Sequence, residues 1–269
     1  MRERHTLLLF YAACFICFAC LPHAAMAGAW TLPEGDIRMI SDITISSASR
    51  QYDSNAHKSS PIIFEKQRSA ACIEYGIRDY LTGFIIPEYT RARSGPEAGK
   101  TTTSTDSAGA AGLRARVYNG GYGIVSIQAA VKSAGAFNLS VSAHGASGRE
   151  MELRLLYGTN LSVLGQNAFA DVEIGQRWVN GARPNETPID LTLGVHLSKH
   201  TMVMVQSFNI LAGGRARAPY SYYRLHKLAL SVVTDITDHI SLQAGAFFSP
   251  AGQNALVERG LTLSLWTPL

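Results

Sequence analysis

The chain has 269 residues, with 24 Lys and Arg against 20 Asp and Glu and a formal net charge of +4. This small basic excess argues against nucleic acid as a partner. After residue 27, no apolar run approaches the roughly 20 residues that a membrane-spanning helix requires. The sequence therefore excludes a helical membrane protein.

Residues 1–27 have the organisation of a secretory signal. Two arginines lie within the first four residues, an apolar core follows at 7–21, and Ala25-Met26-Ala27 forms a small-x-small cleavage site. We predict that residues 1–27 are removed and that 28–269 form the mature barrel domain. The alternatives are an uncleaved anchor helix and a lipoprotein with Cys20 as the lipidated residue.

The cysteines leave no room for an internal disulfide in the predicted mature chain. Three of the four lie within the signal, so Cys72 alone remains. Export would permit a disulfide, but a single cysteine has no partner within its own chain.

Apolar and polar side chains alternate along most of the mature chain. In residues 189–197 every odd position is aliphatic and every even position is polar or glycine. Side chains of a strand point alternately to its two faces, so this segment presents one face to an apolar medium and the other to a polar one. Repeated behind an export signal, the pattern predicts an all-β, transmembrane, antiparallel up-and-down β-barrel in the outer membrane of a Gram-negative bacterium.

We predict twelve strands, an even number that places both termini in the periplasm. Their spans are 36–47, 64–77, 81–91, 110–118, 123–133, 150–158, 168–179, 188–197, 201–211, 222–235, 240–248 and 257–268.

The predicted connections alternate between short turns and long loops, as in outer-membrane barrels. The short turns lie at 78–80, 119–122, 198–200 and 237–239, and three of them contain Asn-Gly or Asp, which tolerate positive φ angles. The fifth short-side connection, 159–167, is longer than the others. Residues 99–109 are rich in Thr, Ser and Gly, which predicts a mobile segment, and we expect the loops at 94–109 and 134–149 to gate the outer mouth.

Sorting each strand by phase separates an aliphatic face from a polar face. A Lys or Arg at mid-bilayer on the lipid face costs about 2–4 kcal/mol, so the polar phase is expected to face the lumen. Trp266 falls on this inward phase, against the pattern. The charged residues predicted to line the lumen are Arg38, Arg114, Arg116, Lys132, Arg154, Asp171, Glu173, Arg177 and Asp190.

Two interpretations of these charges remain open. In the first, a hydrated pore carries a transverse field that orients polar or zwitterionic solutes. In the second, the lumen is plugged and its charges neutralise one another, because a barrel of twelve strands lies between a filled barrel of eight and an open channel of sixteen. We predict passive diffusion of small solutes, with the plugged barrel as the alternative.

Other functions have less support in the sequence. A lipid-directed hydrolase would need a nucleophile and base, and the candidates His144 and Ser147 lie in a glycine-rich segment without rigid support. The histidines have no metal-ligand spacing, and no phosphate-binding loop precedes a helix. We therefore predict no enzyme activity, metal or cofactor. A structural or adhesive barrel and an exported β-sandwich are further alternatives.

Two resemblances support the barrel prediction. Residues 260–269 resemble the C-terminal signal that barrel assembly machinery recognises, with Leu269 where that signal has an aromatic residue. Residues 73–82, 153–158, 206–209 and 258–261 are similar to a group of uncharacterised proteobacterial outer-membrane proteins, related to the channels named for the meta-pathway of phenol degradation. The resemblance implies a channel whose partners are outer-membrane lipid, the assembly machinery and small solutes.

Overall fold

The computed structural model describes residues 28–133, 149–214, 216–218 and 220–268. The regular elements of these residues are strands: β1 (Ile37–Tyr52), β2 (Lys58–Arg78), β3 (Leu81–Pro96), β4 (Thr102–Gly120), β5 (Gly123–Lys132), β6 (Glu150–Val163), β7 (Gln166–Val179), β8 (Asn185–His196), β9 (Thr201–Gly213), β10 (Arg224–Thr237), β11 (Ile240–Gln253), β12 (Ala255–Leu256) and β13 (Arg259–Pro268). Within the same residues, we find no helix with the length and apolar character needed to cross a membrane.

The strands form a closed antiparallel barrel. Each long strand pairs with its neighbour in sequence, and β1 pairs with both β2 and β13, which closes the sheet. The two-residue β12 only extends the pairing at the far end of β1. The wall therefore consists of the twelve long strands, and the predicted up-and-down barrel is confirmed.

The residues between 99 and 109 differ from the prediction. Thr102 begins β4, which pairs with β3 from Thr102 opposite Ser94 to Ala115 opposite Leu81. Cross-strand backbone hydrogen bonds order this segment, so it needs no apolar burial of its own. The prediction of a mobile loop over 99–109 was wrong for 102–109. Residues 134–148 of the other predicted gating loop lie outside the described residues.

The connection between β6 and β7 is also shorter than predicted. Leu164 and Gly165 form a two-residue turn in which both φ angles are positive, 52° and 79°. Two positive φ angles are what the tight hairpin turn of this class requires. β6 consequently runs to Val163, opposite Gln166, and all connections at this end of the barrel are short.

The two faces of the wall are sorted as the alternation predicts. Aliphatic side chains of the outward phase are exposed around the barrel, which is the surface of a protein embedded in lipid. They include Ile43, Ile45, Ile127, Val131, Leu153, Leu155, Val172, Ile174, Leu228, Leu230, Val232, Leu261, Leu263 and Leu265. The chain is an outer-membrane β-barrel.

Trp266 faces the lumen because one arc of the interior is apolar. It is buried with Phe169, Met202, Met204 and Val233 near the short-turn end. Its indole Nε1 donates a hydrogen bond to Gln243 Oε1 at 3.0 Å, so the buried N–H has an acceptor. The lumen wall is therefore polar along β6–β8 and partly apolar along β9–β13.

Candidate functional site

The candidate site is the lumen. All nine charged residues predicted to line it lie on the inward phase of their strands. They are Arg38 on β1, Arg114 and Arg116 on β4, Lys132 on β5, Arg154 on β6, Asp171, Glu173 and Arg177 on β7, and Asp190 on β8.

Arg154 is the centre of a charge cluster at mid-barrel. Its Nη1 donates to Glu173 Oε2 at 2.7 Å and to Asp190 Oδ2 at 2.6 Å, and its Nε donates to Glu152 Oε1 at 2.7 Å. Glu173 and Asp190 are cross-strand partners in β7 and β8. The carboxylates therefore meet Arg154 along the wall of adjacent strands instead of facing it across the lumen.

A second cluster lies nearer the long-loop end. Arg177 contacts Glu152 from Nε at 2.6 Å and also pairs with Glu186. Arg183 pairs with Glu150 and, at 3.4 Å, with Glu186. Arg177 also lies 3.6 Å from Glu150, so each guanidinium contacts at least two carboxylates and buried charges of both signs are paired.

The sequence analysis missed several members of this second cluster. Glu150 and Tyr223 fall within the predicted strands 150–158 and 222–235 on their inward phase but were not selected, and Glu186 would follow from extending the strand 188–197 by two residues. Arg183 lies between strands, where no periodicity indicates which way a side chain points.

Tyr223 completes the cluster from the connection before β10. It is buried, and its hydroxyl donates a hydrogen bond to Glu186 Oε1. Burial and the neighbouring Glu186 carboxylate raise the pKa of the Tyr223 phenol, so the hydroxyl stays protonated and remains a donor.

The opposite arc of the wall carries a third cluster. Glu74 on β2 accepts from Arg38 Nε at 2.8 Å and from Arg114 Nη1 at 3.1 Å. Arg114 also donates from Nε to Gln128 Oε1 at 3.0 Å. Glu74 was not among the predicted residues because the strand that carries it alternates poorly in sequence.

Two further ion-pair groups line β1, β2 and the adjoining strands. Two of their members, Asp42 and Lys227, fall on the polar phase of the predicted strands, whereas the other members were not predicted. The first group is Arg68 with Asp42 at 2.9 Å and Glu88 at 2.7 Å; the second is Glu258 with Lys227 at 2.6 Å, Lys66 at 3.0 Å and Ser46 at 2.6 Å.

The remaining two predicted cations differ in their contacts. Lys132 reaches Glu152 at 3.4 Å and so joins the long-loop cluster. Arg116 lies beside the short-turn end, with its backbone N–H bonded to Tyr80 O at 2.8 Å. Within the described ranges it makes no ion pair closer than 4.0 Å.

Solvent reaches part of these clusters. The side chains of Asp42, Glu173, Asp190 and Lys132 retain between 19 % and 23 % of their accessible surface. By contrast, Glu186 and Glu258 are fully covered. The mid-barrel charges are therefore the ones available to a solute in the lumen.

The segment 28–36, which precedes β1, enters the lumen from the short-turn end; we call it the plug. The backbone N–H of Ala29 donates to Asp171 Oδ2 at 3.0 Å, and the Ser126 hydroxyl donates to Ala29 O. Leu32 N–H donates to Thr82 Oγ1 at 2.8 Å. The plug thus bonds to β3, β5 and β7, which lie on one side of the barrel.

Trp30 extends the plug towards the other strands. Its ring meets Phe169 edge-on, with centroids 5.8 Å apart and an interplanar angle of 88°. Its carbonyl accepts from Arg114 Nη1 at 3.1 Å. Trp30 also packs against the apolar cluster that contains Trp266, so the plug links the polar and apolar arcs of the lumen.

The plug does not appear in the sequence analysis because nothing in residues 28–36 alternates or repeats. An indirect signal is the glycine at the inward position 158 of β6. A side chain there would overlap the Trp30 ring, so this position accommodates the plug.

The described residues contain no group of three or more His, Cys, Asp and Glu side chains arranged to hold a metal ion. The hydrolase candidates His144 and Ser147 lie outside the described residues.

Comparison with known proteins identifies the architecture. No protein-family profile and no curated protein matches the chain. Among solved structures, the chain is similar to an outer-membrane channel from Pseudomonas putida F1, with a TM-score of 0.71 and 16% identity over 92% of this chain and 100% of that one. It is also similar to the translocator domain of the autotransporter NalP from Neisseria meningitidis (TM-score 0.56, 11% identity, 98% and 95% covered) and to the NanC porin (TM-score 0.51, 10% identity, 84% and 100% covered). At these identities the likeness shows the outer-membrane barrel fold.

Proposed function

We propose that the chain is an outer-membrane channel for the passive diffusion of small solutes, gated by the plug of residues 28–36. The observation that carries the proposal is the solvent-accessible charge cluster around Arg154 at mid-barrel, on the long-loop side of the plug. A barrel with only a structural role does not need solvent-accessible charges in the middle of its lumen. A charge buried there must be desolvated or paired, which is costly.

The local pairing of charges defines which solutes suit this lumen. Arg154 lies between the carboxylates of Glu173 and Asp190 on neighbouring strands, so opposite charges lie side by side along one wall and little transverse field extends across the lumen. Neutral polar and zwitterionic solutes lose the least solvation energy in such a passage, because paired charges offer both donors and acceptors. We therefore propose weak ion selectivity and a preference for solutes without net charge.

The plug determines whether the channel is closed or open. It occupies the short-turn end through Ala29, Trp30 and Leu32. The plug is held to the wall by hydrogen bonds at Ala29, Trp30, Thr31, Leu32, Glu34 and Gly35, by the exposed Glu34–Arg78 ion pair and by one aromatic contact. These are fewer interactions than hold the closed sheet of the wall, so the plug can be displaced while the wall stays intact. Solute passage would follow from displacement of the plug, and no movement of the wall is required.

Liposome swelling tests the proposal. Vesicles that contain the protein are diluted into solutes of graded size and charge, and a variant without residues 28–34 is measured beside the full mature chain. We expect faster swelling for the variant, most strongly with small neutral solutes. Leu164→Ser is the matched control, since Leu164 is almost fully exposed at a short turn away from the plug.

The second candidate is a plugged barrel with a structural role. The neutralised clusters at Glu186 and Glu258, both fully buried, favour this alternative because they cross-link neighbouring strands. Swelling that is absent both with and without the plug would support the structural role and contradict the channel. Neither candidate assigns a catalytic role to a described residue.

A further inference from the structure

We propose that Asp171, beside Glu173, is the binding site for the α-ammonium group of the mature chain, which cleavage after Ala27 leaves on Gly28. The ligand is a primary ammonium supplied by the chain itself. The inference goes beyond the proposed function, because it holds whether or not the lumen conducts.

The first argument is that Asp171 is a buried carboxyl group without an ion-pair partner in contact, since the charge of Arg114 acts on it only from a greater distance. It is 4 % exposed, and in the described part of the chain it forms no ion pair with Lys or Arg. Buried charges in proteins are ordinarily paired, because desolvation of a lone carboxylate is costly. Every other buried Glu or Asp of the described chain has a basic partner: Glu74, Glu150, Glu152, Glu186 and Glu258.

The second argument is the position of Gly28. Its backbone lies against the Asp171 carboxylate so closely that a Cβ atom on Gly28 would overlap the carboxyl carbon and both oxygens. The next N–H along the chain, that of Ala29, already donates to Asp171 Oδ2 at 3.0 Å. An ammonium on Gly28 is therefore one residue from a donor that the carboxylate already holds.

The third argument is that a second carboxylate, that of Glu173, lies close to Asp171. Glu173 lies two positions along the same inward face of β7, and its carboxyl group interacts with that of Asp171. Glu173 also accepts a hydrogen bond from Arg154 at 2.7 Å. The Arg154 guanidinium therefore pairs with Glu173 and Asp190 in addition to Glu152. An additional ammonium beside Asp171 relieves this local excess of negative charge.

The predicted cleavage site supplies this ammonium at the correct residue. Ala25-Met26-Ala27 predicts Gly28 as the first residue of the mature protein. An α-amino group has an ordinary pKa of about 7.7–8.0 and is largely protonated at neutral pH. Cleavage would thus create the counter-ion of Asp171 and fasten the plug in one step.

The test compares amine reactivity in the intact barrel. The mass of the protein purified from outer membranes is first measured by mass spectrometry. We expect the mass of a chain that begins at Gly28. The folded protein is then acetylated with a water-soluble ester at neutral pH, with the exposed Lys199 as internal reference. We expect the α-amine to react about tenfold more slowly than in Asp171→Asn, the factor that corresponds to one unit of amine pKa.

Asp42→Asn is the matched control, because Asp42 is another lumen carboxylate but is paired with Arg68. It should leave the α-amine as protected as in the unchanged protein. A first residue other than Gly28, or equal α-amine reactivity in Asp171→Asn and the unchanged protein, would overturn the proposal.

Two measurements keep the test decisive if Asp171→Asn does not fold. Gly28→Ala leaves the barrel wall untouched but adds a Cβ atom that overlaps the carboxylate, so it should raise α-amine reactivity. The unchanged protein can also be compared before and after unfolding by heat. Equal reactivity in both states would contradict the site without any substitution, and neither measurement depends on conductance.

Discussion

Gly158 lies directly beneath the indole ring of Trp30, so that a Cβ atom on Gly158 would stand 2.6 Å from Cη2 of the ring. The wall of the barrel and the plug therefore fit only because the inward position 158 has no side chain. A single change at this position in the wall is therefore expected to move the plug.

Gly158→Ala should accordingly displace the plug. The new methyl group cannot share space with Trp30, and the plug is held by fewer interactions than the closed sheet. We expect Cys72, a half-buried residue on the inward phase of β2, to react several-fold faster with a small thiosulfonate reagent in this variant. The measurement is the labelling rate of the folded protein in detergent or vesicles.

The control for this experiment is Gly213→Ala. A Cβ atom on Gly213 would meet no atom within 4 Å, so the same chemical change falls away from the plug. An unchanged Cys72 labelling rate in Gly158→Ala, with the protein folded, would show that the plug does not limit access to the lumen.

Arg154→Gln should make the channel more selective for cations. The substitution leaves Glu152, Glu173 and Asp190 without the guanidinium they share, which adds one net negative charge to the mid-barrel lumen. We expect the reversal potential under a salt gradient to move towards that of the cation in planar bilayers of the variant without residues 28–34.

Arg78→Gln is the matched control for this charge change. Arg78 lies at the short-turn end, is mostly exposed and pairs with the exposed Glu34. Removal of its charge should leave the reversal potential almost unaltered because mobile ions screen it. Equal reversal potentials for Arg154→Gln and the unsubstituted channel would contradict a lumen path past Arg154.

Glu258→Gln should lower the stability of the barrel strongly. Glu258 is fully buried between the ammonium groups of Lys227, at 2.6 Å, and Lys66, at 3.0 Å. Loss of the carboxylate breaks the ion pairs that Glu258 makes with two buried cations, for which a cost of about 3–5 kcal/mol is typical of a broken buried pair. Denaturant unfolding in detergent, followed by heat-dependent gel mobility, measures the free energy of unfolding.

The comparison is Glu34→Gln, the same substitution in the exposed pair with Arg78. Exposed pairs contribute about 0–1 kcal/mol, so this variant should unfold close to the unchanged protein. If the two variants unfold at the same denaturant concentration, the Glu258 cluster does not stabilise the wall in the way that its burial indicates.

The tryptophans report which face of the wall meets lipid. Trp178 is outward and 47 % exposed, whereas Trp266 is inward and 6 % exposed. In vesicles of brominated lipid, Trp178→Phe should remove most of the quenchable fluorescence, while Trp266→Phe should retain it. Quenching that disappears with Trp266→Phe instead would invert the assigned faces.

The sequence predicted the wall in detail but was less informative about its ends. All twelve long strands were found, since an alternation of period two survives wherever lipid lies on one side and water on the other. The prediction was wrong at the ends of two strands. Residues 102–109 belong to strand β4, and Leu164-Gly165 forms a shorter turn than the predicted connection. Backbone pairing between strands determines the structure of these segments, and such pairing has little effect on amino-acid composition.

For the lumen, alternation identified which charges face inward but not which charges meet. Arg154 and Asp190 are 36 positions apart and pair because β6, β7 and β8 are adjacent in a particular register. Arg183 enters the neighbouring network from a connection that carries no periodicity. Register and loop geometry are properties of the closed sheet, and no local pattern encodes them.

Taken alone, the sequence determined the twelve long strands, the two faces of the sheet and the inward direction of the nine predicted lumen charges. Only the tertiary structure decided that the charges neutralise one another along the wall and that residues 28–36 return into the lumen. The physical reason is separation: Ala29 and Asp171 are 142 positions apart, and their hydrogen bond exists only once the barrel has closed.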